Sequence, residues 1–398
     1  MNYNIWYISK YAVTPKYGFA TRQFIYSKYF AKQRHNVSLI SSRSSSLKNR
    51  PDFKSLYIKD EIDGVTCYML NGISIKLGFN LKRIFSWMQF EIQLRRWARK
   101  IKEKPDVIII SSLSLLTILN GIFFKRKYKA KLVFEVRDIW PLTLLEVGNF
   151  SKINPFYWFL RMIEKRGYRK ADLIVGTMPN LKEHIQKSIK SNFKFTYMPM
   201  GFDTENLYFE QKEWQLPNDK FIVGYAGSIG NANQVEDMLK AAEIIENNNE
   251  IIFAILGDGP LKDILQKKYS HLKNVIWFPK VEKKFVNSFL EQCNVLINNW
   301  KNKPIYKYGV SPNKWIDYMY AAKPIIVSYS GYPCIINDAE CGEFVEAENP
   351  KALSDAILRY SKKDKSELDI IGQKGKDYLL NNLNYNKLSK KYLDSIFE

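Results

Sequence analysis

The sequence predicts an α/β protein made of two doubly wound halves, each a parallel sheet wrapped by helices, and three observations carry that prediction. Short apolar runs bounded by turn residues alternate with helical patterns along almost the whole chain. Glycine-bearing turns stand where a strand should pass into a helix, at Gly18 and again at Gly227 to Gly230. The 398 residues are also enough for two ordinary cores.

In chain order, the apolar run at 4–8 reads as the first strand. A loop follows through Pro15 and Gly18, then a helix over 19–33 and a strand over 37–41. Lys104-Pro-Asp introduces a buried strand at 107–112, and 131–138 is another. The run 107–124 is uncharged for 18 residues, yet it holds three Ser, a Thr, an Asn and a Gly, so it reads as strand plus helix and not as a membrane span. After the turn 198–203 and the polar stretch 204–219, strands are expected at 221–226, 251–256, 275–278, 295–298 and 325–328, with a helix over 233–247 and helices from 351 onward. The domains implied are 1–195, 196–380 and a terminal helix over 381–398 that packs back toward the first. The cleft between the two halves is the expected active site.

Charge is unevenly distributed. The net charge is +21, but residues 1–195 hold 36 Lys and Arg against 13 Asp and Glu, whereas 196–398 hold 25 against 27. The first half must therefore meet something anionic, such as a lipid surface, a pyrophosphate or a nucleic acid. The segment 80–104 interleaves Ile84, Phe85, Trp87, Met88, Phe90, Ile92, Leu94 and Trp97 with eight Lys and Arg, a pattern suited to a membrane interface or to a core helix with a solvated basic face. No nucleic-acid module is recognisable. Cys67, Cys293, Cys334 and Cys341 form no CxxC pair and no metal spacing with His35, His184 or His271, so neither a disulfide framework nor a structural zinc is indicated. No signal peptide is visible at the start, and a cytoplasmic setting fits.

The most informative stretch is Tyr308 to Val327. Ser311 is placed to cap, Pro312 suits a first helical position, and Asn313 to Tyr320 continue the helix, so the amides of 313 and 314 are left for an anion. Lys314 adds a full positive charge there. Asn313 and Asp317 lie four apart on one face, so a diphosphate at the N-terminus would bring ribose hydroxyls to the Asp317 carboxylate. The alternative is an ordinary capped helix leading into a core strand.

Five motifs in order resemble the family 4 retaining glycosyltransferases of the GT-B fold: Glu135-Val-Arg-Asp-Ile-Trp-Pro141, Ala171 to Pro179, Tyr225 to Asn233, Gly257-Asp-Gly-Pro260, and Tyr308 to Lys314 with Asp317. The resemblance covers nearly the whole chain and is nearest to a bacterial O-antigen and capsule subgroup typified by WbuB. It implies that the C-terminal domain binds a UDP-sugar and the N-terminal domain a polyprenyl-diphosphate-linked saccharide at the inner membrane face, with peripheral attachment to an anionic membrane surface and no nucleic acid. The implied donor-binding set is Gly18, Gly227, Ser228, Gly230, Asn231, Gly257, Val281, Gly309, Ser311, Pro312, Asn313 and Asp317. Arg22 and Trp140 fall on the acceptor side, and Asp138, Arg137 and Lys314 are the catalytic candidates.

Two departures from the family pattern matter. Of the family's two glutamates seven residues apart, the positions here are Gly309 and Asp317, so only the ribose carboxylate is kept. The loss fits a deoxy or N-acetylated hexosamine as the sugar transferred. The Arg and Lys phosphate clamp after the first C-terminal strand is also missing, which leaves Lys314, helix amides, the Gly230 loop and Arg22 to neutralise the diphosphate. No Asp-x-Asp motif appears, so no metal or other cofactor is expected. Asp138 is the expected base, unless the leaving phosphate takes the acceptor proton; Arg137 and Asp138 could instead form an ion pair that locks the loop under Trp140. A UDP-sugar 2-epimerase of the same fold and, further off, a basic nucleic-acid-binding protein are the rival readings.

Overall fold

The computed structural model describes residues 2–43, 47, 49–73, 81–112, 114–146, 148, 150–205 and 209–398. Asn80 and part of the polar stretch 204–219 lie outside them. The chain divides into two compact units, Met1–Pro199 with Tyr385–Glu398, and Met200–Asn384.

The first unit is an eight-stranded sheet. Its strands are β1 (Asn4–Ile8), β2 (Asn36–Ser42), β3 (Tyr57–Ile62), β4 (Val65–Leu70), β5 (Val107–Ser111), β6 (Lys131–Val136), β7 (Leu173–Gly176) and β8 (Phe195–Tyr197), in the order β3-β4-β2-β1-β5-β6-β7-β8. Central strands are buried on both faces, which is why β1 and β5 read as unbroken apolar runs. Every neighbouring pair is parallel except β3 and β4. That hairpin closes on Asp63 and Gly64, both at positive φ, the turn that an Asp-Gly pair favours.

Six helices connect these strands: α1 (Arg22–Lys32), α2 (Leu81–Lys100), α3 (Thr117–Tyr128), α4 (Leu142–Glu146), α5 (Pro155–Lys170) and α6 (Leu181–Ser188). Adjacent residues of β1 show the two layers. Trp6 packs edge-on to Trp97 of α2 and Phe124 of α3, while Tyr7 belongs to the opposite core with Phe24, Tyr26 and Phe30 of α1. His184 of α6 bonds Glu164 of α5 at 2.7 Å, a buried pin between helices that gives this histidine a structural partner absent from the sequence reading.

The second unit has strands β9 (Phe221–Ser228), β10 (Ile251–Asp258), β11 (Val275–Phe278), β12 (Val295–Asn299), β13 (Ile325–Ser328) and β14 (Gly342–Val345), all parallel in the order β11-β10-β9-β12-β13-β14. The edge strand β14 is four residues long and only partly buried, so it left no hydrophobic pattern to read. Helices α7 (Val235–Ile244), α8 (Lys262–Lys268), α9 (Val286–Leu290), α10 (Asn313–Tyr320), α11 (Ile335–Asp338), α12 (Pro350–Ser361) and α13 (Lys365–Asn382) surround it. His271 here meets Glu243 at 3.1 Å. The last helix, α14 (Tyr385–Phe397), returns to the first unit, where Tyr385 and Tyr392 pack edge-on against Tyr26.

The unit boundaries fall at Pro199 and Asn384, a few residues beyond the expected 195 and 380, because β8 pairs with β7 and keeps 195–197 in the first sheet. Among the parallel strands of each sheet the order reverses once, between β1 and β5 and between β9 and β12. Ligands of doubly wound sheets bind at the carboxyl edge beside such a reversal.

Candidate active site

In the second unit, the carboxyl edge holds a cavity of about 490 Å³. Gly227 and Ser228 come to it from β9, Gly257 and Asp258 from β10, Lys280, Val281 and Lys283 from the loop after β11, and Asp317 from α10. The register sets Gly227 opposite Gly257 and Ser228 opposite Asp258. At Gly257 φ is +152° and a Cβ would stand 1.9 Å from the Gly227 carbonyl oxygen, so this approach of two backbones needs glycine.

Tyr318 fixes the position of α10. Its buried hydroxyl accepts the Ala226 amide at 3.0 Å and lies 3.3 Å from the Ile297 carbonyl, joining the helix to both β9 and β12. Lys314, one turn toward the N-terminus, is thereby laid over the Tyr225 ring with Nζ 4.0 Å from its centroid, and donates to Asn233 Oδ1 at 3.4 Å. A Cβ on Gly227 would come within 2.9 Å of that Nζ, so the glycine also makes room for the ammonium. Burial lowers the Lys314 pKa to about 7, with Asp317 opposing the shift. Among the described residues no carboxylate forms an ion pair with Lys314, and Asp317 one turn on acts on it only at longer range.

Several expectations need correcting. Ser311 does not cap α10: its hydroxyl accepts the Met200 amide at 2.9 Å, the N-cap residue is Pro312, and no side chain caps the helix. Asp317 is already engaged, because Lys283 pairs with its carboxylate. Lys283 and Lys280 escaped the sequence reading, and they place cations at the cavity from a loop other than the one where the clamp is missing. Gly309 has φ 86° and ψ 174°, a conformation nearly confined to glycine, so the backbone itself excludes a glutamate at that position. Of the remaining expected donor residues, Gly227, Ser228, Gly257, Val281 and Asp317 line the cavity, whereas Gly230, Asn231, Gly309, Ser311, Pro312 and Asn313 are not among its walls.

In the first unit, Asp138 follows β6 at the carboxyl edge, and burial raises its carboxyl pKa, with Arg137 opposing. No hydrogen bond or ion pair reaches that carboxylate among the described residues, so the salt bridge considered for Arg137 and Asp138 is not what holds the loop. Instead the Arg137 amide donates to Ser112 Oγ at 3.0 Å and Thr177 Oγ1 donates to the Arg137 carbonyl at 3.3 Å. Trp140 stands edge-on to Trp87 of α2 at 5.5 Å. Gly18 lies in the loop after β1, its amide bonded to the Thr14 carbonyl. The buried hydroxyls of Ser9, Thr14 and Ser114, on the loops that leave β1 and β5, find no partner among the described residues.

Arg22 is not available to a substrate. Its side chain is fully buried; the guanidinium donates to the carbonyls of Met198 (2.9 Å) and Pro199, stacks 4.6 Å over Tyr26, and lies 3.5 Å from Glu135. Glu135 in turn accepts from Tyr7 at 2.6 Å and Ser111 at 3.1 Å. This is a buried charge pair pinning the end of the first unit, and it removes Arg22 from both the diphosphate and the acceptor side.

Two Rossmann-like units, each built on a largely parallel sheet wrapped by helices, are the architecture of the GT-B fold. Residues 20–206 match the family model "Glycosyltransferase Family 4", and residues 208–377 match "Glycosyl transferases group 1". The chain is accordingly a GT-B glycosyltransferase of the family 4 type. The Pseudomonas aeruginosa protein described as probable glycosyltransferase WbjE is 23% identical over 312 residues, which take in 73% of this chain and 74% of that one. Among solved structures, sucrose-phosphate synthase from Thermosynechococcus elongatus superposes with a TM-score of 0.75 at 15% identity over 99% and 98% of the two chains. Anabaena HepE in complex with UDP-glucose gives 0.65 at 13% identity over the full length of both. These structures share the fold; none of the matches singles out the WbuB-like subgroup.

Proposed function

We propose that this glycosyltransferase moves a sugar, an N-acetylated or deoxy hexosamine, from a UDP-sugar to a polyprenyl-diphosphate-linked saccharide in bacterial surface-polysaccharide synthesis, with retention of configuration. The observation that carries the donor half is Lys314: a lysine lowered to about 7, packed at the N-terminal turn of an uncapped helix beside a cavity with a carboxylate one turn further on. A diphosphate supplies the missing anion, and the helix amides add donors. HepE, solved with UDP and with UDP-glucose, supports a uridine nucleotide.

Cleaving the bond from sugar to diphosphate builds negative charge on the leaving phosphate and positive charge on the ring. Lys314, the amides of α10, Lys280 and Lys283 are the groups proposed to meet the leaving charge, and with four such sources no metal is needed. Asp317 binds the ribose once it exchanges Lys283 for the hydroxyls. With no glutamate at 309, the hydroxyls of the sugar are left to backbone groups. Asp138, raised by burial against the opposing pull of Arg137 and without a side-chain hydrogen bond or ion pair among the described residues, is suited to take the acceptor proton.

Incubating purified protein with UDP-N-acetylhexosamines and a short-chain polyprenyl-diphosphate saccharide tests the reading. The expected result is acceptor-dependent UDP release and a lengthened lipid-linked glycan. An epimerised free sugar formed without acceptor would replace this proposal with the epimerase.

A further inference from the structure

Fourteen large hydrophobic side chains are exposed among the described residues, and ten of them belong to the first unit. Three lie on one stripe of α2 (Phe85, Met88, Ile92), within the segment already singled out as basic and aromatic. A second set was not foreseen: Ile153 is 89% exposed, Met162 60%, Trp158 55% and Phe159 45%. These occupy the start of α5 and the turn before it. The turn is ordered by its own bonds: Asn154 caps the Phe156 amide at 2.9 Å, and the Trp158 indole donates to the Lys152 carbonyl at 2.8 Å. The indole N–H is therefore satisfied inside the protein, and the ring can leave water without stranding a donor.

Charge follows the same axis. Beyond Met162 the exposed positions of α5 are Arg166, Arg169 and Lys170, and the helix's one acid, Glu164, is buried against His184 and Tyr168. On α2 the stripe likewise passes from Phe85, Met88 and Ile92 to Arg95, Arg96, Arg99 and Lys100. Each helix carries the chain from the carboxyl edge of a parallel strand back to the start of the next, so each begins at the carboxyl edge. Both apolar ends therefore lie toward the edge that bears Asp138, and both basic ends lie away from it.

We infer that the first two turns of α5, with Ile153 ahead of them, insert into an anionic lipid bilayer alongside the apolar end of α2, so that the membrane meets the carboxyl edge of the first unit. Trp and Phe take the interfacial apolar zone and the arginines take the head groups. A second copy of the chain suits the patch poorly, since like charges on Lys152, Arg161, Arg166 and Arg169 would face themselves. The surface makes sense of a lipid-linked acceptor and rests on that reading only there: the membrane contact itself is independent of it.

The test uses the full chain and vesicles of phosphatidylglycerol with phosphatidylethanolamine, against phosphatidylcholine alone. The wild type is expected to float with the anionic vesicles only, and brominated lipid is expected to quench its tryptophan emission. Phe159→Ser with Met162→Ser should lower the bound fraction at least tenfold, and Trp158→Phe should abolish the quenching, while all variants bind UDP as the wild type does. Undiminished flotation of the double variant, equal binding to neutral vesicles, or a wild-type dimer that the double variant turns into a monomer without any vesicle binding would each overturn it. Vesicle binding that survives a failure to bind UDP would sink the donor reading and leave this one standing.

Discussion

The two units share one architecture and differ in what they leave uncovered. The second presents a cavity at the carboxyl edge of its sheet into which Lys280, Lys283, Asp258 and Asp317 bring charge, and scatters its few exposed hydrophobics; the first carries the whole positive excess and gathers exposed apolar residues at the start of α2 and α5. A doubly wound sheet fixes where a ligand can bind, but the kind of ligand is set by loops and helix ends. In the proposed reading, a lysine beside Gly227 suits one unit to a nucleotide diphosphate, and aromatic rings backed by arginines suit the other to a lipid surface.

The comparison breaks most sharply if damage to one unit can be confined to it. Arg22→Met removes one partner of a fully buried charge pair and leaves Glu135 uncompensated, which is expected to cost about 3–5 kcal/mol of stability in the first unit. Thermal unfolding should then split into two transitions, with UDP still raising the melting temperature of the later one; a single transition would mean that the units do not unfold separately. Next in size, Gly257→Ala drives a methyl into the Gly227 carbonyl and is expected to cost about 2–3 kcal/mol in the second unit, read by denaturant titration. Gly309→Glu should restore no activity and should destabilise the second unit by about 1–3 kcal/mol, since φ 86° with ψ 174° suits glycine alone. Recovery of activity at unchanged stability would show that the missing glutamate was a free choice.

A smaller effect sharpens the picture of Lys314. A bound diphosphate must raise its pKa from about 7, so binding draws in a proton at neutral and higher pH. Just below pH 7 the lysine is already charged and affinity should level off, until at about pH 6, near its usual second pKa, the terminal phosphate of UDP takes up its own proton. Above it, UDP affinity should fall close to tenfold per pH unit, about 1.4 kcal/mol each, and the calorimetric heat should vary with buffer ionisation enthalpy. Lys314→Met should abolish this slope. Smallest of all is Lys283→Ala, because the Lys283–Asp317 pair is partly exposed and such pairs contribute about 0–1 kcal/mol, so its effect on stability should be barely measurable.

What the sequence disclosed divides along the same line. The helix 313–320 was legible because proline, helix formers and a following apolar strand mark it locally, although its cap falls on Pro312, one residue later than the sequence suggests. The Asp63-Gly64 hairpin also carried a local signal, and it was passed over. Arg22 was misread for a physical reason: an arginine after a glycine loop looks like a phosphate ligand until Glu135 and the carbonyls of 198 and 199, more than a hundred residues away, are folded onto it. Lys283 was invisible for the same reason, its partner being 34 residues on. The α5 face was missed because Trp158, Phe159 and Met162 keep the spacing of core residues, and which side of a helix faces the sheet is decided by neighbours that the local pattern does not contain.

The most direct measurement is calorimetric titration of UDP, without added metal, into the wild type and Asp317→Ala at pH 7. Binding that weakens by about 1.5–3 kcal/mol in the variant, the range for a lost hydrogen bond to a charged group, is the expected result and would put the ribose on α10 with the diphosphate at its N-terminus. Equal affinity in the two proteins, or no UDP binding by the wild type, would contradict the assignment of the second unit as the donor site.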